Sequence, residues 1–324
     1  MDNNNVYSIN DLHRNRVGRN NRNHSPYVYH SINHSNSNNN NNQNDKSDAI
    51  IRSIITKKSN LNPRKETFTM FVTNFLCPHF TLKSVSFGII VINTIMYVIT
   101  LCFGLDYQQP YNLLPPKHST LLAFGALDSA QLKRSPIIMQ MHRWILNSVL
   151  HAYFVHYLSN VISILIFGAL TEKMLGKKVF VIVYIWSGIL GSLFTVLLQT
   201  TTISVGASIS VYGIFGGYFA FCILNWCLMD RLFGPRGKLF MFYLLLGFLV
   251  FGFVSQYNSN NSLVNVRGHL GGLMFGFLIT VSCVVSVNEV EGRNLMYKIC
   301  RNVARGICLG FGVIGFIVFY GVMK

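Results

Sequence analysis

The sequence predicts an all-α membrane protein, a polytopic bundle of about seven transmembrane helices. Three observations lead there. The 324 residues are 51% hydrophobic and only 12% charged, whereas a soluble globular domain carries ~25% charged residues. From Ser84 onward, apolar segments near the ~20 residues that cross a bilayer follow one another. Lysines and arginines gather in alternate connections between those segments, as topology determinants do.

Residues 1 to about 65 form a polar arm rich in Asn and Ser, with a run from Asn38 to Asn42. So little apolar surface cannot offset the entropy of ordering, and the arm is expected to be disordered and cytosolic. Arg14, Arg16, Arg19 and Arg22 suggest a mitochondrial transit peptide, but the arm has no apolar stripe and contains Asp2 and Asp11. No cleavable secretory signal is visible. The apolar segments then run Ser84–Leu105, Trp144–Thr171, Val179–Gln199, Gly206–Leu228, Leu239–Gln256, Val266–Ser286 and Gly306–Val322. Residues 66–290 accordingly hold a six-helix core, and 291–324 a cytosolic linker with one additional C-terminal helix.

Charge orients these helices. The arm, the Lys173-Lys177-Lys178 group, the Arg231-Arg236-Lys238 group and the Arg293-Lys298-Arg301-Arg305 group fall on one side when seven helices alternate. The opposite connections, 200–205 and 257–265, carry no positive residue. Only the long first loop, 106–143, holds a few, at Lys117, Lys133, Arg134 and Arg143. The N-terminus is therefore expected in the cytosol and the C-terminus across the membrane. The net charge of +16 is spread over the arm and these loops and forms no basic stripe interleaved with exposed aromatics, which argues against a nucleic-acid partner. The seven cysteines form no C-x-x-C pair and lie mostly in or beside apolar runs, so they read as packing residues, with no disulfide framework or zinc site.

Two polar residues stand where apolar ones are expected. Ser208 opens one apolar run within Gly206-Ala207-Ser208-Ile209, and His269 opens another within Gly268-His269-Leu270-Gly271-Gly272. An ionisable group in a span costs free energy, at least ~2.5 kcal/mol for charged residues on insertion scales, and points to function. Alone, the serine reads as part of a small-residue packing face, and the histidine as a structural polar group. Together, at matching depth on separate helices, they suggest an imidazole that takes the proton of a serine hydroxyl. His151, His156 and Asn160 lie within the segment Trp144–Thr171, and the four-residue spacing of His156 and Asn160 puts them on one helix face. A side-chain amide and an imidazole N–H there can donate to a developing oxyanion. No acidic ligand or H-E-x-x-H accompanies the histidines, which argues against a metal site, and no cofactor is implied. The aspartates of the apolar part, Asp106, Asp128 and Asp230, all lie in loops, which excludes an intramembrane aspartyl site. Gly206, Gly272 and Gly276 remove bulk where the serine and histidine helices have to touch.

These motifs resemble the rhomboid family of intramembrane serine proteases over about residues 80–290. The resemblance rests on Gly206-Ala207-Ser208-Ile209 followed by Tyr212 and Gly213, on His269 with Gly272 and Gly276, and on His151, His156 and Asn160 followed by Glu172-Lys173 and Gly176. It implies that Ser208 is the nucleophile and His269 its base, with no carboxylate. It also implies that His156 and Asn160, with the backbone N–H of Ser208, form the oxyanion hole, and that Tyr212 packs beside the histidine. Two departures stand out: Ile209 occupies a position where the family often has Gly, and His142-Arg143-Trp144 stands where it usually has Trp-Arg. The additional C-terminal helix resembles the eukaryotic secretory-pathway branch, and the Asn-rich arm resembles apicomplexan composition. The implied partners are the lipid bilayer and single-span transmembrane substrates, surface adhesins among them. The implied location is the secretory pathway or plasma membrane. The alternative is a catalytically inactive rhomboid-like protein that binds membrane clients.

Overall fold

The computed structural model describes residues 82–107, 113–134, 136–199, 203–226, 239, 242–250, 265–284 and 295–322. The arm with its expected disorder and the basic 231–238 connection lie outside the described residues. Within them the chain is an all-α polytopic bundle. Its apolar helices are α1 (Val85–Cys102), α2 (Phe154–Leu175), α3 (Lys177–Leu198), α4 (Ser208–Leu224), α5 (residues 242–250), α6 (Val266–Cys283) and α7 (Leu295–Val322). Five of these, α1, α2, α3, α6 and α7, are long and apolar enough to cross a membrane.

Polar groups fix the helix ends. The Ser84 hydroxyl caps α1 by accepting from Phe87 N at 3.1 Å. Beside it, the buried Glu172 carboxylate near the end of α2 accepts from Val85 N, Ser86 N and Ser86 Oγ at 2.8, 2.8 and 2.7 Å. A carboxylate at a helix N-terminus meets both the unpaired N–H groups and the positive end of the helix dipole. One turn of α2, Ile164–Gly168, is π-helical, and Phe167 within it is fully buried against Phe215 and Tyr218 of α4. Gly176, at φ +76°, makes the turn that sends the chain straight into α3.

Helix α4 is the centre of the bundle: 14 of its 17 residues are buried. Its length is ~26 Å, a little less than the ~30 Å hydrocarbon core. Glycines bring α3, α4 and α6 into backbone contact. A Cβ on Gly272 of α6 would fall on the carbonyl oxygen of Ile209, and one on Gly276 would lie 2.6 Å from Gly213 Cα.

Two expectations need correction. The second apolar segment does not run as one helix from Trp144. A short helix (Arg143–Leu146) and a 3-10 turn (Asn147–Val149) give way to a stretch that is extended at Leu150 and Tyr153, and α2 begins only at Phe154. The break is stabilised by burial of Leu150 with Leu121 and Ala126 of the first loop. That loop is itself folded: β1 (Leu127–Asp128) pairs antiparallel with β2 (Ile203–Ser204), just ahead of α4. The buried Arg143 guanidinium donates to Leu122 O and Ala126 O at 2.8 and 2.7 Å. Finally, α7 starts at Leu295 rather than Gly306, so part of the expected linker is helix; Arg305 in that part donates to Ser282 O at 2.9 Å.

Candidate active site

Ser208 is the first residue of α4. The turn that delivers it needs Gly206 at φ +134°, a region that L side chains rarely adopt. Gly206 N donates to Asn147 O at 2.9 Å, which ties this turn to the first loop. The first intrahelical bond of α4 runs from Val211 N to Ala207 O. The N–H groups of Ser208, Ile209 and Ser210 therefore lie at the unpaired, positive end of the helix.

His269 sits in the first turn of α6, and its Nε2 lies 2.7 Å from Ser208 Oγ. Both side chains are buried. Tyr212, one turn along α4 from the serine, stacks on the imidazole with ring centroids 4.3 Å apart and planes 6° from parallel. His269 Nδ1 has no hydrogen-bond partner among the described residues. The ring is thus held by an aromatic face and by helix contact, where Ser-His-Asp hydrolases use a carboxylate.

His156 and Asn160 lie on α2, as expected, one turn apart. A Cβ at Gly206 would lie 2.5 Å from His156 Cε1, 2.8 Å from its Nε2 and 3.4 Å from Ser208 Oγ. The His156 ring therefore passes directly over the serine turn. Asn160 is buried, and its Nδ2 has no hydrogen-bond partner among the described residues. His151 stands apart from its expected place: it precedes α2, in the break. It is fully buried there, edge-on to Tyr97, Tyr157 and His156 at 6.2, 5.5 and 5.4 Å. Burial first, and then the nearby His156, hold its pKa well below the ordinary imidazole value.

Gly272 and Gly276 occupy the α4–α6 contact, as anticipated. Gly206 does not; its missing side chain makes room for His156, and its φ makes the turn. Ile209, the departure from the family pattern, fills the space that glycines open. A Cβ on Gly191 would lie 2.6 Å from its Cγ2, and one on Gly268 2.7 Å from its Cδ1. Sequence reasoning missed Asn265. Its side chain caps α6 by accepting from Gly268 N at 2.7 Å and donates to Thr195 Oγ1 and Ser204 Oγ, both at 3.1 Å. An Asn just before an apolar helix is an N-cap signal that could have found it. Among the described residues, no cluster of three His, Cys, Asp or Glu could hold a metal.

Comparison with known proteins places this arrangement. A rhomboid-domain profile matches residues 139–286, which contain Ser208, His269, His156 and Asn160. The chain is 31% identical to Rhomboid-like protease 1 of Toxoplasma gondii over 248 residues, covering 76% of this chain and 78% of that protein. The chain belongs to the rhomboid family. Rhomboid-like protease 3 of the same organism is 30% identical, over 68% of this chain and 76% of its own length. Putative rhomboid protease YdcA of Bacillus subtilis is 36% identical over 137 residues, 42% of this chain and 64% of its own. As a rhomboid, the chain is an integral membrane protein of an intramembrane protease family. The profile match excludes α1 and α7, which lie to either side of it.

Proposed function

We propose that this rhomboid is an active serine endopeptidase that cuts single-span transmembrane proteins near the non-cytosolic membrane face. The observation that carries the reading is the 2.7 Å contact between Ser208 Oγ and His269 Nε2 under a stacked Tyr212 ring. In the first half-reaction Ser208 Oγ attacks the scissile carbonyl carbon, and His269 Nε2 takes the hydroxyl proton. Negative charge gathers on the carbonyl oxygen, where His156, Asn160 and the Ser208 backbone N–H serve as donors. The C–N bond then breaks as His269 hands its proton to the leaving amine. Water attacks the acyl-serine with His269 again as base, and the carboxyl product leaves. A protein that only binds clients has no need of a hydroxyl set at hydrogen-bond distance from an imidazole ring nitrogen.

Depth decides the substrate. The serine lies a few ångströms below the surface, so the scissile bond has to come to that level. A peptide bond inside an intact helix is shielded by its own hydrogen bonding. The preferred substrates are therefore single-span proteins, surface adhesins among them, whose outer turn is weak, with Gly, Ala or Ser near the cut. The charge distribution supports a cytosolic N-terminal arm, and the additional C-terminal helix, which resembles the eukaryotic secretory-pathway branch, supports the secretory pathway or plasma membrane. Cleavage of one membrane-spanning reporter, with its outer turn changed from Gly/Ala to Leu, tests the reading. Slower cleavage of the Leu version is expected; equal cleavage of both would remove helix instability as the basis of selection.

A further inference from the structure

The last turn of α7 does more than cross the membrane beside the core. Trp144, in the first loop immediately after the buried Arg143, donates from Nε1 to Tyr320 Oη at 3.1 Å. Its ring packs edge-on against Phe316 and Phe319 at centroid distances of 4.9 and 6.0 Å. Phe319, fully buried, completes a cluster with Leu127, Leu132 and Trp144 of the loop, and the Lys133 ammonium sits 5.7 Å from its ring centroid. Leu127 is also half of β1, and its partner in β2 is Ser204, which accepts from the cap of the histidine helix, Asn265, at 3.1 Å. Two residues after Ser204 comes the Gly206 turn that delivers Ser208.

From this continuous path we infer that the end of α7 is a positioning element for the active site. Phe319 and Tyr320 hold the first loop, and through the β1–β2 pair they hold the turn ahead of Ser208 and the start of the His269 helix. The inference deepens the protease reading and rests on it for its catalytic consequence. Its mechanical content stands separately, because the β1–β2 pair can be observed whether or not the protein turns over.

The comparison that isolates the effect is between two phenylalanines of the same helix. Phe319 is a fully buried member of the cluster that holds the loop, whereas Phe311 is only partly buried beside that cluster and sets its ring against Phe275 and Phe194 at 4.6 and 6.2 Å. The full-length protein carrying Phe319→Ala or Phe311→Ala is examined by hydrogen exchange, by its rate of labelling with a serine-directed fluorophosphonate and by thermal unfolding. Phe319→Ala is expected to accelerate exchange of the 127–128 and 203–206 amides and to slow labelling about tenfold, as a small misplacement of reacting groups does. Phe311→Ala is expected to lower Tm by a similar amount while leaving both other readouts near the parent. Tyr320→Phe keeps the ring, loses the hydrogen bond and should fall between the parent and Phe319→Ala. Parent-like exchange at 203–206 in Phe319→Ala would overturn the inference, as would equal changes in Phe311→Ala. If the parent itself failed to label, the protease reading would fall. The exchange contrast between the two variants would then still decide whether α7 positions the loop.

Discussion

Adding one methyl group at Gly272 is the sharpest mechanical test of how this bundle sets the distance between Ser208 and His269. Gly272 lies on the face of α6 one turn from His269, and its Cβ position is occupied by the carbonyl oxygen of Ile209, the residue after Ser208. Backbone cannot swing aside as a flexible side chain does. In Gly272→Ala, α4 and α6 have to separate by on the order of 1 Å before the contact reaches van der Waals distance. That displacement carries the serine away from the histidine and stretches the 2.7 Å hydrogen bond past useful length. Misplacement of reacting groups by 1 Å costs up to ~10²-fold in rate, about 2.7 kcal/mol of transition-state stabilisation. Overpacking itself destabilises by about 1–3 kcal/mol. The assay is the second-order rate of fluorophosphonate labelling in detergent, read beside Tm. Gly310→Ala serves as comparator, since a Cβ there meets nothing within 4 Å. Gly272→Ala is expected to lose about two orders of magnitude in labelling, and Gly310→Ala to match or slightly exceed the parent in Tm. A Gly272→Ala protein with parental labelling and Tm would refute the claim that glycine contact sets the dyad distance.

Two other outcomes follow from the same geometry. His156→Ala and Asn160→Ala should each lower reporter cleavage by about 10²–10³-fold without abolishing it, because one oxyanion donor is lost while others remain; kinetic silence of both would make the cluster structural. A tag on the N-terminal arm should be reached by protease from the cytosolic side and a tag after Lys324 should not, and access to both from one side would mean an even number of crossings.

Much of this architecture was legible because membrane solvation writes strong signals. The apolar segments at Ser84–Leu105, Val179–Gln199 and Val266–Ser286 differ from α1, α3 and α6 only at their ends. Ser208 and His269 stood out because polar groups are rare at that depth, and Gly272 and Gly276 because helix spacing puts them on the face of His269. The extended break ahead of Phe154 was not legible, since Leu150 and Ala152 are as apolar as any helix residue and hydropathy has no term for backbone direction. The β1–β2 pair is two residues long and leaves no periodicity to read. Lys298, Arg301 and Arg305 lowered the hydropathy of the first turns of α7 and hid a helix that begins ahead of the apolar stretch. Gly206 was identified as important for the wrong reason: its positive φ and the His156 ring above it are tertiary facts.

The proposed protease activity turns on Ser208 being a nucleophile activated by His269. Intact protein treated with a fluorophosphonate and mapped by mass spectrometry should carry one modification, on Ser208. Ser208→Ala should carry none, and His269→Ala should label slower by about three orders of magnitude with Tm near the parent, the double variant being no worse than either single one. Labelling that persists in Ser208→Ala, or that proceeds at parental rate in His269→Ala, would contradict it.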